Sequence, residues 1–299
     1  MKVLLTGAAG HLARAVLPRL CGDDEVERVV AVDRRPIGFL HRKIEPLCAD
    51  LLTAEFELLL RNCDALVHLA WTVIRGRTSE RAMHANNVGI ARRLFSAAGQ
   101  AGVRRLIHVS SASVYGNGTL LNEHAPLAPL PGFLYAQHKA EFEIWLAREV
   151  PQAIVLRPHI ILGPNALPLL KTMLSMPLYP NLPDPQPRLQ CVHEVDVAEA
   201  IVLALHKTES GPFNLAAADM FNYRDVIRAR HRRTIGVPYS MTRLALHGAW
   251  KLFGIGAEPG WLAGMRADLT LDCGKAQAIL GWKPRWSSIE ALKQTAEFR

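Results

Sequence analysis

The chain has 299 residues, 49% hydrophobic and 21% charged, with a formal net charge of +8. That length can bury the core of one large domain, or of one domain with a smaller lobe, and the mix excludes disorder and a repeat array. Five cysteines, odd in number and scattered without C-x-x-C spacing, argue against a disulfide framework or a zinc site and point to a reducing cytoplasm.

Met1 to Gly7 runs straight into an apolar strand (2–5) and a glycine turn, which leaves no room for a signal peptide. No apolar stretch is long enough to span a bilayer. The turn, Gly7-Ala8-Ala9-Gly10-His11-Leu12-Ala13, opens a helix over 12–20. Glycines there let backbone N–H groups approach a pyrophosphate, and the helix N-terminus favours its charge, so Gly7, Ala9, Gly10, His11 and Leu12 are candidate cofactor contacts. Asp33 ends a second strand (28–32), where a carboxylate can accept hydrogen bonds from a ribose diol. It would repel a 2′-phosphate and favour NAD, whereas Arg34 and Arg35 could attract one and favour NADP; the carboxylate's position tilts the reading to NAD. Asp50 either bonds an adenine amino group or caps the turn before Leu51.

Further apolar runs at 65–69, 104–109 and 153–156 alternate with helical patterns at 79–101 and 135–149. This predicts an α/β fold with a doubly wound parallel sheet of the Rossmann kind. The helix at 135–149 places Tyr135 and Lys139 on one face, four residues apart. Lowering a phenol's pKa by about three units requires roughly 4 kcal/mol, which a nearby ammonium can help supply. Such a pair suits proton exchange with an alcohol. The same spacing also fits an aromatic edge beside a solvated charge.

After Pro158 the texture changes, and residues 177–187 hold five prolines, too many for regular helix or central strand. A strand (189–193), a helix (195–206) and a strand (213–216) follow, then mostly helical sequence. The expected division is a dinucleotide-binding domain over 1–158, with 189–217 returning to it, and a smaller, interleaved C-terminal substrate lobe from 159–188 and 218–299.

Taken together, Gly7-x-x-Gly10-x-x-Ala13, Asp33, Asp50-Leu51, His68-Leu69-Ala70, Asn86-Asn87-Val88, Val109-Ser110-Ser111-Ala112-Ser113-Val114-Tyr115-Gly116, Tyr135-x-x-x-Lys139 and Leu156-Arg157-Pro158 resemble an extended short-chain dehydrogenase/reductase. More narrowly the set resembles the NAD-dependent epimerase/dehydratase family, with its nucleotide-sugar epimerases and 3β-hydroxysteroid-dehydrogenase-like enzymes. Residues 192–198 and 280–284 also have counterparts there. The resemblance implies that Tyr135 is the general acid/base and that Lys139 lowers its pKa while binding the nicotinamide ribose. It implies Ser111 as donor to the reacting oxygen, with Ser110 and Ser113 as competing choices. It places Asn87 near the cofactor, adds Leu69, Ala70 and Pro158 to the cofactor contacts, and implies a homodimer through the helices at 79–101 and 135–149. His138 reads as structural. No His pair stands at ligand spacing beside carboxylates, so no metal is expected.

Nucleotide-sugar relatives present an Asn and a basic residue where this chain has Pro158-His159 and Leu189-Gln190, although Arg188 is adjacent. The segment 166–183 is mostly apolar, which fits either core packing or an apolar pocket. A second apolar and aromatic stretch, 244–261, flanked by Arg243 and interrupted by His247, Lys251 and Glu258, covers that pocket, forms a buried amphipathic helix, or touches a membrane surface, the lesser reading. The arginines between Arg224 and Arg233 read as a solvated helix face, without the stacking aromatics a nucleic-acid groove requires. The reading is an oxidoreductase interconverting a secondary alcohol and a ketone on a sterol-like substrate. A sugar-nucleotide epimerase or dehydratase is the alternative, and a non-catalytic dinucleotide sensor the last.

Overall fold

The computed structural model describes residues 1–229, 233, 235–253 and 259–295. Seven parallel strands, β1 (Lys2–Thr6), β2 (Arg28–Asp33), β3 (Ile44–Cys48), β4 (Ala65–His68), β5 (Arg105–Val109), β6 (Ile154–Pro158) and β7 (Gly211–Leu215), form the central sheet in the order β7-β6-β5-β4-β1-β2-β3. The chain winds outward from β1 to β3, returns beside β1 as β4, and winds outward the other way. The switch between β1 and β4 opens a crevice at the strands' carboxyl ends, where ligands bind in such sheets.

Alternation along the strands sends side chains to two cores. Val3, Leu5, Val29, Ala31, Val67, Ile107 and Leu156 face helices Ala13–Gly22 and Glu194–Leu205. Leu4, Val30, Val32, Leu66, Leu106 and Val155 face helices Ile90–Gln100 and Leu134–Glu149. The helix expected over 79–101 is capped by Ser79 and runs as Glu80–His84, a π-turn at Ala85–Gly89, and Ile90–Gln100.

β3 is the sheet strand that sequence patterning misses. It lies on the edge, where Glu45, Pro46, Leu47 and Cys48 are exposed, so it shows no apolar run, and an edge tolerates the missing amide of Pro46. Strand Gly211–Leu215 joins the central sheet beside β6, whereas Cys191–His193 pairs with Ile160–Leu162 in a separate two-stranded sheet. The proline-rich segment holds strand Leu178–Asn181, paired in parallel with Ile235–Pro238. Helices Pro168–Ser175, Tyr223–Ala229, Tyr239–Phe253, Pro259–Gly264 and Ser288–Thr295 belong to the lobe. Among the described residues, no helix is long and apolar enough to cross a membrane.

Candidate active site

The glycine turn leaves β1 at the switch point. Gly7 has φ +75°, and a Cβ there would stand 2.6 Å from the Ala70 nitrogen, so only glycine lets the backbone after β4 pass this close. Gly10 donates to the Gly7 carbonyl at 2.9 Å and closes the turn ahead of the helix. Asp33 accepts from Ala9 N at 3.0 Å and from Arg35 N at 3.0 Å, while Arg35 Nη2 donates to the Ala9 carbonyl at 3.2 Å. The carboxylate thus stands beside the turn and draws Arg35 over it; Arg34 is exposed. Burial lowers the His11 imidazole, and Arg14, Arg35 and Lys171 add to the effect. Asp50 is exposed and accepts from Leu52 N in a local turn, while Leu51 is buried in the core.

The glycine cradle and the Asp33 carboxylate together fit a dinucleotide. Asp33→Ser should therefore raise affinity for NADP relative to NAD by about tenfold or more, because the charge that opposes a 2′-phosphate is gone and Arg34 and Arg35 remain. Titration calorimetry with both dinucleotides checks this; an unchanged ratio would remove Asp33 from the cofactor site.

Helix Leu134–Glu149 carries Tyr135, Lys139 and Glu143 at successive four-residue spacings, so all three share one face. Ser111 is the side chain that opposes the rise of the Tyr135 phenol's pKa, and its Oγ accepts from Ser113 Oγ at 2.9 Å. Ser110 turns the other way and donates to buried Glu143. Of the three serines, Ser111 is therefore the one at the phenol.

Lys139 departs from expectation. Its ammonium donates to the Val109 carbonyl at 2.6 Å and lies 3.7 Å from the Trp71 ring centroid, against 6.0 Å from that of Tyr135. Burial drives the lysine well below its ordinary value, with Glu143 opposing. Nor is the phenol depressed: burial pushes Tyr135 up to about 12, and Ser111 is what opposes it. The carbonyl and the indole face satisfy the ammonium instead.

Asn87 is also spent on the protein. Fully buried in the π-turn, it accepts from Thr72 N at 2.7 Å and donates to Thr72 O at 3.0 Å, which fixes the loop after β4 rather than presenting an amide to a ligand. His138 packs edge-to-face on His84 beside that amide, and burial keeps its imidazole low. Pro158 ends β6, buried.

Two contributors escaped the sequence reading. Trp71 covers Lys139, and neither its type nor its spacing announced that. Glu143 stands four residues beyond Lys139 and could have been found from that spacing. Arg157 donates to it at 2.9 and 2.5 Å, and to the Tyr115 hydroxyl at 2.6 Å, which in turn donates to Asn214 at 2.8 Å. This buried network ties helix Leu134–Glu149 to β6 and β7.

From the lobe, helix Pro259–Gly264 lays Trp261 on the site, stacked on Tyr135 at 6.3 Å and tilted against Phe133 at 5.0 Å by ring centroids. Gly260 permits this, since a Cβ there would stand 2.4 Å from the Phe133 Cα. Of the stretch 244–261, Trp261 lies against the site; residues 254–258, Glu258 among them, lie outside the described residues.

A family model for the NAD dependent epimerase/dehydratase family matches residues 3–216. The chain belongs to that family. The match contains every sequence motif of the candidate site from Gly7 to Pro158. Among its relatives, the UDP-glucose 4-epimerase of Vibrio cholerae is 26% identical over 273 residues, 82% of this chain and 79% of that protein. The 4-hydroxy-2-methyl-3-oxo-4-farnesyl-3,4-dihydroquinoline-1-oxide ketoreductase of Stigmatella aurantiaca is 25% identical, covering 98% of this chain and 96% of that one. MoeE5 in complex with UDP-glucuronic acid and NAD superposes with a TM-score of 0.78 at 25% identity, over 100% of this chain and 98% of that one.

Three fully buried imidazoles in and near the site are held neutral most strongly. His68 falls to about 3 and His159 to about 4, while His108 lies well below its ordinary value. Because these folded values lie below the unfolded one, the unfolded chain binds protons that the native state refuses. Stability is therefore whole above about pH 6.5 and falls as pH drops toward 4, by about 1.4 kcal/mol per pH unit for each such histidine. Melting temperature should drop steeply between pH 7 and pH 5; a flat profile would contradict the burial of neutral imidazoles.

Proposed function

We propose that the protein is an NAD-dependent oxidoreductase interconverting a secondary alcohol and a ketone on an apolar, ring-bearing substrate. The observation that carries the reading is the aromatic wall of Phe133, Tyr135 and Trp261 at the atom that would exchange the proton. A flat, apolar carbonyl compound suits such a wall better than a hydrated sugar diphosphate. His159 and Gln190, which stand where a nucleotide-sugar enzyme needs diphosphate ligands, are occupied elsewhere. The His159 Nε2 lies 2.9 Å from the Leu269 carbonyl, and Gln190 bridges Ala217 O and Leu271 N. The farnesyl-bearing ketone in the name of the Stigmatella relative points the same way.

Gly7 to Leu12 would hold the pyrophosphate of NAD and Asp33 its ribose; bound NAD supplies the acceptor or donor for the hydride. Tyr135, protonated at neutral pH, is an acid as it stands. In ketone reduction its proton goes to the substrate oxygen as hydride adds to the carbonyl carbon, while Ser111 donates a hydrogen bond to the same oxygen. Oxidation runs the same transfers backward.

The second reading, epimerisation or dehydration of a nucleotide sugar, is favoured by the Vibrio cholerae relative and by MoeE5. One assay separates them. Lipophilic secondary alcohols, sterols included, should produce net NADH with this protein. Conversion of UDP-sugars without net NADH, and no response to the alcohols, would replace the first reading with the second.

A further inference from the structure

Residues 226–257 contain no Asp or Glu but six Lys or Arg: Arg228, Arg230, Arg232, Arg233, Arg243 and Lys251. Six of the chain's net eight positive charges are thus matched by this one stretch. Arg230 and Arg232 lie outside the described residues. The same stretch carries some of the most exposed large apolar side chains of the described protein, Ile235 at 65%, Met241 at 63% and Leu244 at 74%. Ile235 stands opposite Leu178 in the lobe's strand pair, and Leu178 is itself 45% exposed. Helix Tyr239–Phe253 packs against both strands, with Arg243 exposed beside Leu244.

Aliphatic side chains in water beside an excess of cations, with Arg233 and Arg243 exposed and Arg228 paired with Asp225 at 3.5 Å, need a partner that satisfies both. A nucleic acid would answer the charge but leave Ile235, Met241 and Leu244 without bases to stack on, since none of them is aromatic. A second copy of this face would bury the aliphatics while bringing two sets of like charges together. An anionic bilayer answers both, taking aliphatic side chains at the acyl boundary and cations among the headgroups. We propose that strand Ile235–Pro238, its partner Leu178–Asn181 and helix Tyr239–Phe253 form a docking face for an anionic lipid surface. The face is independent of the substrate reading, and it would bring a lipophilic ketone's reservoir to the lobe that carries Trp261.

Sedimentation of the full-length protein with vesicles tests this without any substrate. Equimolar phosphatidylglycerol and phosphatidylcholine vesicles should bind at least about tenfold more tightly than pure phosphatidylcholine, with binding weakened by added NaCl. Leu244→Glu and Arg243→Glu should each weaken it by about tenfold. Both positions are exposed, so both variants should keep the thermal shift that NAD induces in the parent, which serves as the fold check. Absence of binding to the anionic vesicles, equal binding to both kinds, or indifference to Leu244→Glu would overturn the proposal. So would a concentration-dependent dimer broken by Leu244→Glu without vesicle binding, or tight binding of an oligonucleotide that Leu244→Glu leaves intact. Vesicle binding without turnover of any lipophilic alcohol leaves the face standing and defeats the substrate reading instead.

Discussion

Tyr135→Phe should lower turnover of the protein's alcohol or ketone substrate by about 10²–10⁴-fold while leaving dinucleotide affinity near that of the parent. The substitution removes one oxygen. Its aromatic ring would keep the stacking on Trp261 and the tilted contact with Phe133, so the wall and the helix register survive, and what disappears is the O–H on the Ser111 side of the ring. Single-turnover measurement with saturating cofactor isolates the chemical step. Unchanged turnover would remove Tyr135 from the reaction, and lost cofactor binding would mean that the phenol positions the ligand instead. Ser111→Ala should act in the same direction more weakly, because it withdraws one donor and leaves the proton source in place.

The second large effect concerns stability. Glu143 and Arg157 form a buried ion pair, 2.5 Å at its closest, with side chains 4% and 6% exposed. Removing one partner of such a pair leaves the other charge buried and alone, a loss of about 3–5 kcal/mol. Glu143→Ala should therefore lower the melting temperature by about 10 °C, and it also strands the Ser110 hydroxyl. Combining Glu143→Ala with Arg157→Met should restore much of the loss, since replacing both charges by apolar groups is far milder than stranding one. Additive losses in the double variant would show that the pair is not coupled as the geometry requires.

Much of this site was legible from residue order alone, and the reasons are physical. Gly7, Asp33, Ser111 and Tyr135 each answer a local demand: a close backbone approach, a carboxylate at a strand end, a hydroxyl after a strand, a phenol on a helix face. Local demands leave local marks. The buried strands were equally plain, because both faces of a parallel sheet are covered and each strand reads as a continuous apolar run. β3 was not, since an edge strand is half in water. Trp71 was not either, and Trp261 was marked only as part of a pocket-covering stretch, not as a neighbour of Tyr135. Each acts through a contact between distant segments, Trp71 on Lys139 and Trp261 on Tyr135, and nothing in the spacing of a lone tryptophan says which side chain it will meet. The fate of Lys139 follows from the same gap: the ammonium turns to a carbonyl and an indole that the sequence did not reveal as neighbours.

The stacking of Trp261 on Tyr135 makes the lobe a party to the phenol's acidity. Trp261 belongs to a helix beyond the sheet, yet it is one of the groups that keep water from the ring whose burial raises the pKa. Linkage runs both ways: to the extent that docking the lobe disfavours the phenolate, forming the phenolate disfavours the docked lobe by the same free energy. Loss of the phenol's proton would thus weaken the cover above it by the same amount that the cover resists that loss.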